Sequence, residues 1–158
     1  MLAAGCCDGR LQFNLSHSGE YALVAVAQCG DVGVDLECVR RLPDLEEMAD
    51  RSFSAAERVV FHALPANDRL EAFFNCWTRK EAFLKALGDG LPRPLHSFEV
   101  SLTSGQPAKQ LQIDGDYREA SRWTLRFSVM PGTVAAVAIE RPVHANGTSE
   151  NTQFRTEG

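Results

Sequence analysis

Two acidic side chains, Asp35 and Glu37, lie two residues apart in an otherwise apolar stretch of the 158-residue chain. If this stretch is a β-strand, both carboxylates leave the same face of it. Two carboxylates so close repel each other, so a shared proton or a bound cation must offset the repulsion. An all-oxygen ligand set favours Mg²⁺ over zinc. The alternative is a polar strand face turned toward water.

A second candidate group lies in the segment from Trp77 to Lys85, whose sequence is typical of a helix. Glu81 and Lys85 are four residues apart and therefore share a helix face, and Trp77 lies one turn earlier on that face. The alternative interpretation is an exposed ion pair worth about 0.3–0.5 kcal/mol.

A third candidate group is the run Asn14-Leu15-Ser16-His17-Ser18-Gly19, which we predict to be the end of a strand followed by a turn. Its hydroxyls, imidazole and backbone N–H groups can offer hydrogen bonds to a phosphate. The alternative is an ordinary turn without a ligand. A serine hydrolase is disfavoured, because we find neither an acidic partner nor a nucleophile elbow.

Short strands surround the first and third groups. Alternating apolar and polar residues predict a strand over 11–15, a turn over 16–19, a buried strand over 21–27 and another strand over 32–37. Because the connections are short, we expect these three strands to form an antiparallel meander.

Helices are predicted for the middle of the chain. Pro43 and the acidic residues after it are typical of a helix N-terminus. Ser54 and Glu57 have the spacing of a capping box at the start of a second helix, which Pro65 ends. A third helix is predicted over 68–87, followed by a loop rich in glycine and proline.

The rest of the chain returns to strands, predicted over 97–102, 111–113, 123–129 and 134–139. The sequence at 130–133 places proline and then glycine at the centre of a turn, as a type II turn requires. Strands followed by helices and then by strands again indicate the α+β class.

Taken together, the segments Phe13–Gly19, Gly33–Glu37 and Trp77–Lys85 resemble the 4′-phosphopantetheinyl transferase superfamily, and its surfactin (Sfp) type more than the short holo-acyl-carrier-protein synthase branch. The resemblance runs from about Leu11 to Glu140. It implies an α+β fold, an antiparallel sheet with helices packed on one face. It also implies an enzyme, a holo-[acyl-carrier-protein] synthase (EC 2.7.8.7), that moves the 4′-phosphopantetheine arm of coenzyme A onto a carrier-protein serine and releases 3′,5′-ADP.

The resemblance also assigns roles to residues. Asp35, Glu37 and Glu81 would hold Mg²⁺ against the pyrophosphate, where charge neutralisation and alignment matter most. Glu81 and Lys85 would be the catalytic residues. Glu81 would activate the serine, directly or through a metal-bound water, and Lys85 would stabilise the charge of the leaving group or return its proton.

Coenzyme A binding is assigned by the same resemblance to Ser16, His17 and Lys85, which would contact its phosphates. Lys80, next to Glu81, would have a supporting role. The implied partners are coenzyme A and an acyl, polyketide or peptidyl carrier protein. Arg40, Arg41 and Arg51 are candidates for a basic strip that docks this acidic partner.

The sequence departs from the surfactin type in one respect. Members of that type have two similar halves, and here the Phe13 motif follows only a dozen residues, so most of the first half is absent. The chain is then a fragment, a shortened member that completes its cleft as a homo-oligomer, or a decayed relative. The last case leaves a non-catalytic module that binds coenzyme A or a carrier protein.

Composition excludes other classes of protein. A net charge of −5 and a pI near 5.4 disfavour a nucleic-acid binder. The longest apolar run, Tyr21–Ala27, has seven residues, whereas a membrane span needs about 20. An odd number of cysteines, five, predicts reduced thiols and a cytoplasmic protein. We expect a flexible leader over 1–10, one domain over 11–142 and a disordered tail over 143–158.

Overall fold

The structure is a computed structural model that describes residues 10–88 and 93–141. Almost all of the predicted leader, the predicted tail and the middle of the predicted glycine- and proline-rich loop lie outside these residues. Within them, no helix is long and apolar enough to cross a membrane.

Seven strands and four α-helices make up the described part of the chain. The strands are β1 (Gln12–Ser18), β2 (Tyr21–Ala27), β3 (Val32–Cys38), β4 (Phe98–Val100), β5 (Gln110–Ile113), β6 (Trp123–Met130) and β7 (Thr133–Glu140). The helices are α1 (Leu45–Ser52), α2 (Ala55–Ala63), α3 (Ala66–Leu87) and α4 (Tyr117–Ser121). A single 3₁₀ turn, Leu95–Ser97, precedes β4. The predicted α+β class is confirmed.

The strands pair only in antiparallel fashion and form three separate groups. A central sheet has the order β3-β7-β6, and two further pairs are β1-β2 and β4-β5. In the central sheet, Asp35 lies opposite Ala136 and Glu37 opposite Val134. The two acidic residues of β3 therefore share a face with small apolar residues of β7.

Helix α3 packs directly on this face, and Gly33 shows how closely. A Cβ atom at Gly33 would lie 2.0 Å from the carbonyl oxygen of Ala82 and 2.3 Å from the backbone nitrogen of Ala86. Only glycine allows this approach of the two backbones. Because Asp35 and Glu37 follow Gly33 at intervals of two residues, they too face α3.

Aromatic rings of α3 join the helix to the strands behind it. The Phe83 ring centroid lies 4.8 Å from that of Phe98 and 4.9 Å from that of Trp123. All three side chains are buried, which fixes the rotation of α3 about its axis. The capping box at Ser54 and Glu57 is confirmed at the start of α2.

Three predictions about the first strands are wrong, the third only in part. The predicted turn over 16–19 is strand as far as Ser18, and the chain reverses at Gly19, where φ is +59°. The predicted meander does not form, because β3 pairs with β7 and not with β2. The strand over 21–27 exists but is not buried throughout, since Val24 and Val26 are more than half exposed.

Later elements agree better with the sequence. The turn before β7 has the positive φ that was predicted for Gly132, +75°. Helix α4 was missed because five residues are too few to show helical periodicity; Asp116 caps it by accepting hydrogen bonds from the N–H groups of Arg118 and Glu119. The prediction that all thiols are reduced is wrong for Cys29, which is disulfide-bonded, whereas Cys38 and Cys76 are free.

Candidate functional site

Asp35 is the buried centre of the candidate site, with 5% of its surface exposed. Its Oδ1 atom lies 2.7 Å from Nζ of Lys85 on α3. Its Oδ2 atom is buried and has no hydrogen-bond partner in the described part of the chain. A buried carboxylate oxygen without a partner is costly, so this atom is suited to an additional cation or donor.

Lys85 connects the last turn of α3 to both β3 and β1. Besides the ion pair with Asp35, its ammonium group donates to Oγ of Ser16 at 3.3 Å. The alternative that Glu81 and Lys85 form an ion pair exposed to water is therefore wrong for Lys85, whose side chain is 32% exposed and turns inward.

Ser16 is the third member of this contact and is 6% exposed. Its Oγ atom accepts from the N–H group of Leu36 at 3.1 Å and donates to Oδ1 of Asp35 at 3.4 Å. The ordinary turn considered for this segment is excluded, because Ser16 is a buried strand residue. The structure therefore brings together Ser16, Asp35 and Lys85.

Glu37 and Glu81 lie beside this group, and the charge of Asp35 raises the pKa of both. Burial raises the pKa of Glu37, and the charge of Asp35 raises it further, whereas Arg40 at 3.6 Å lowers it. Burial is also the largest cause of the raised pKa of Glu81. The charges of Asp35 and Glu37 raise this pKa further, whereas the charge of Lys85 lowers it.

The same balance holds for Asp35. Burial raises the pKa of Asp35. The ion pair with Lys85 and the hydrogen bonds from Ser16 and the Leu36 backbone lower this pKa, but by less. Three carboxyl groups with raised pKa values beside one another favour either protonation or a bound cation.

The donor set of the site fits a hard divalent cation in its chemistry. All three acidic side chains offer oxygen, and Oδ2 of Asp35 is buried without a hydrogen-bond partner among the described residues. In the part of the chain that the structure describes, however, no three acidic, histidine or cysteine side chains converge in a ready metal-binding arrangement. Lys85 instead contacts Oδ1 of Asp35. The ligand set Asp35, Glu37 and Glu81 therefore stays a prediction.

His17 does not join this group. Successive residues of a strand face opposite sides, and the buried Ser16 is followed by the exposed His17, which lies opposite Ala22 of β2. Ser16 and His17, two of the three residues that the resemblance assigned to coenzyme A, thus lie on opposite faces of the β1-β2 hairpin.

The supporting role that the resemblance implies for Lys80 stays a prediction, and the structure places this residue in the core. Its side chain is fully buried, and Nζ lies 2.8 Å from Oε2 of Glu57 and donates to the carbonyl oxygens of Leu95 and Phe98, both at 2.6 Å. The sequence analysis missed Glu57 as the counterion, although the capping box had already singled it out.

The sequence analysis named Asn14 and Ser18 as possible phosphate contacts but did not predict that they bind β3. Each side chain accepts a hydrogen bond from a backbone N–H of β3, at 2.9 Å in both cases. The available signal was the polar residue at every second position of an otherwise apolar strand.

Fold and site together define a known class of protein. The family model described as "4′-phosphopantetheinyl transferase superfamily" matches residues 31–138, which include all of β3 and α3 and most of β7. The chain belongs to this superfamily.

Among individual relatives, the chain is 41% identical over 134 residues to the 4′-phosphopantetheinyl transferase HetI of Nostoc, covering 84% of this chain and 53% of HetI. It is 32% identical over 130 residues to the transferase Sfp of Bacillus subtilis, covering 82% of this chain and 55% of Sfp. The chain thus spans about half the length of these curated relatives. The resemblance to the surfactin type is confirmed.

A solved structure shares the fold. The holo-(acyl-carrier-protein) synthase of Bacillus anthracis, in complex with CoA (3′,5′-ADP), superimposes with a TM-score of 0.55 at 21% identity, over 70% of this chain and 96% of that one. The similarity to a synthase confirms the predicted fold.

Proposed function

We propose that this chain transfers the 4′-phosphopantetheine arm of coenzyme A to the serine of an acyl, polyketide or peptidyl carrier protein, with Mg²⁺, in the cytoplasm. The observation that carries the proposal is the contact of Asp35, Lys85 and Ser16 in a chain that belongs to this superfamily. The partnerless Oδ2 of Asp35 marks the side of the group that is open to a further ligand.

Asp35, Glu37 and Glu81 would hold the Mg²⁺ ion, which when bound neutralises the pyrophosphate and aligns it for attack. The serine oxygen forms a bond to the phosphorus that carries the pantetheine arm, and the bond from this phosphorus to 3′,5′-ADP breaks. Glu81 would act as the general base that takes the serine proton.

Lys85 would stabilise the negative charge that develops on 3′,5′-ADP, because its ammonium group already points into the acidic group. Ser16 and Lys85 would contact coenzyme A from the buried side of β1. His17 would reach a phosphate from the exposed side. A homo-oligomer would complete the coenzyme A cleft.

A non-catalytic module that binds coenzyme A or a carrier protein is the second candidate function. One observation favours it: no three acidic, histidine or cysteine side chains form a ready metal-binding arrangement among residues 10–88 and 93–141.

Mass spectrometry of an apo carrier protein after incubation with this chain, coenzyme A and Mg²⁺ separates the two functions. We expect the carrier to gain the mass of one phosphopantetheine arm. Glu81→Gln should abolish the gain, whereas Glu71→Gln, at an exposed position of the same helix, should preserve it. A carrier that stays unmodified while the chain binds coenzyme A would support the non-catalytic module.

A further inference from the structure

The outer edge of β3 is held by side chains and not by a neighbouring strand backbone. Strand β3 is the last strand of the central sheet, and its other edge pairs with β7. The N–H groups of Val34, Leu36 and Cys38 point outward. In an antiparallel pair such alternate groups face one side of the strand, where a further strand would normally accept from them.

Three side chains of β1 accept these hydrogen bonds. Val34 donates to Oδ1 of Asn14 at 2.9 Å, Leu36 to Oγ of Ser16 at 3.1 Å and Cys38 to Oγ of Ser18 at 2.9 Å. We call Asn14, Ser16 and Ser18 the side-chain ladder. Because the donors and the acceptors both recur at every second residue, the ladder fixes the position of β1 along β3.

The middle residue of the ladder is the one that meets the candidate site. A serine hydroxyl has one hydrogen to donate and two lone pairs. Ser16 uses all three, since it accepts from Leu36 and Lys85 and donates to Asp35. A slip of β1 by two residues would bring Asn14 or Ser18 to this place, and the hydrogen bonds of the outer two residues oppose such a slip.

We propose that Asn14 and Ser18 are positioning residues, which hold the β1-β2 hairpin in the one register that brings Ser16 to Asp35 and Lys85. His17 lies between Ser16 and Ser18 in the same strand, so the ladder also fixes its place on the exposed face. The consequence for coenzyme A binding rests on the proposed function, whereas the register does not.

Two substitutions test the ladder, each with a matched partner. Asn14→Leu removes an acceptor at nearly constant volume, and Gln12→Leu makes a similar change at an exposed position two residues earlier on the same strand. Ser18→Ala removes the other outer acceptor, and Ser18→Thr keeps a hydroxyl there. Ser18→Ala is also the smaller change, so it serves if Asn14→Leu does not fold.

Nuclear magnetic resonance gives the first measurement, which needs no activity. We expect amide exchange of Val34 to quicken about tenfold in Asn14→Leu, and that of Cys38 to quicken similarly in Ser18→Ala, since each amide loses its acceptor. We also expect the nuclear Overhauser contact between the Ser16 and Lys85 side chains to weaken in both variants. Gln12→Leu and Ser18→Thr should leave these signals as in the parent.

Calorimetry with coenzyme A gives the second measurement. We expect the Kd to rise about tenfold in Asn14→Leu and Ser18→Ala and to return within about twofold of the parent in Ser18→Thr, because a displaced hairpin misplaces Ser16 and His17. A role limited to folding would lower the fraction of protein that binds without raising the Kd.

The outcomes are distinguishable. If amide exchange and the Ser16–Lys85 contact are the same in Asn14→Leu, Ser18→Ala and the parent, the ladder does not set the register and the proposal is wrong. If they change while the Kd does not, the ladder is structural only, and the positioning role is excluded. If the parent binds no coenzyme A, the proposed function fails, and the nuclear magnetic resonance data alone decide whether the register depends on Asn14 and Ser18.

Discussion

Asp35 illustrates how a single residue can be both stabilised and strained by its surroundings. The Lys85 ammonium group pairs with Oδ1, but burial still raises the pKa of Asp35. The ionised carboxylate is therefore less favourable in the folded chain than in the unfolded chain. Such a residue is suited to a site that binds a cation, because the cation stabilises the ionised carboxylate more than the protein alone does.

Stability should depend on pH through this residue. A carboxyl group whose pKa is higher in the folded state contributes stability that is full below the unfolded pKa and is lost as pH rises through the folded pKa. Without metal, we expect Asp35→Asn to gain stability relative to the parent as pH rises from about 4 to about 7, because asparagine cannot ionise. Urea unfolding in the presence of a chelator measures this difference.

Asp31→Asn, at an exposed position just before β3, is the control for this experiment and should show no such trend. If the free energies of unfolding of Asp35→Asn and the parent differ by the same amount at every pH, ionisation of Asp35 does not cause the pH dependence of stability.

Magnesium affinity should fall as pH falls. Protons compete with Mg²⁺ for carboxylates, and burial raises the pKa of Asp35, Glu37 and Glu81. We expect calorimetric Mg²⁺ affinity to drop by about tenfold or more between pH 7 and pH 5. Glu37→Gln should weaken binding at pH 7 and Glu71→Gln should not. Equal affinity at both pH values would argue against these carboxylates as ligands.

Helix α3 is the element on which the site depends, and a buried ion pair holds it in place. Lys80 extends from α3 to Glu57 at the start of α2 and to two backbone carbonyls near β4. The neighbouring residue, Glu81, is the predicted base. The N-terminus of α2, the 3₁₀ turn and the middle of α3 are thereby joined at one buried point.

Breaking this pair should destabilise the fold strongly. Lys80→Met leaves the Glu57 carboxyl group buried without its counterion, which should cost about 3–5 kcal/mol. The double variant Lys80→Met with Glu57→Gln should lose less than the sum of the single losses, because neither charge is then left alone. Denaturant unfolding measures all three.

Arg51→Met is the comparison for these variants, since Arg51 forms an exposed ion pair with Glu47. It should change stability by less than about 1 kcal/mol. If Lys80→Met and Arg51→Met lower the free energy of unfolding equally, the buried pair does not hold α3 in place.

How well an element could be predicted depended on how local its signals are. The capping box at Ser54 and Glu57 predicted the start of α2 because both residues lie within one helical turn. The partner of β3 could not be predicted, since β7 lies about a hundred residues later and nothing near β3 indicates it. The approach of α3 to Gly33 is also non-local, although it places Asp35 beside Lys85.

At the scale of the molecule, the described residues include an exposed apolar surface on the β1-β2 hairpin. Phe13 lies opposite Val26 and Leu15 opposite Val24 on one face of the β1-β2 hairpin, and each of these four side chains is more than half exposed. The other face of the hairpin is turned toward β3 through Ser16. A contiguous apolar patch on a sheet is typical of an interaction surface.

The β6-β7 hairpin shows how such a face is normally covered. Leu125 lies opposite Ala138 there, and both are buried in the core that includes Ala82 and Phe83 of α3. The β1-β2 hairpin lacks an equivalent helix on its exposed face among the residues that the structure describes. If self-association completes the coenzyme A cleft, we expect a second copy of the chain to pack on this exposed face.

Self-association should therefore depend on this face. We expect the parent chain to show concentration-dependent association in sedimentation velocity, and the double variant Phe13→Ser with Val24→Ser to sediment as a monomer, because it replaces apolar contact area with hydroxyls. Val59→Ser changes an exposed apolar residue on α2, outside the hairpin, and this variant should associate like the parent. If the double variant also associates like the parent, another surface joins the copies, and the cleft is not completed across this hairpin.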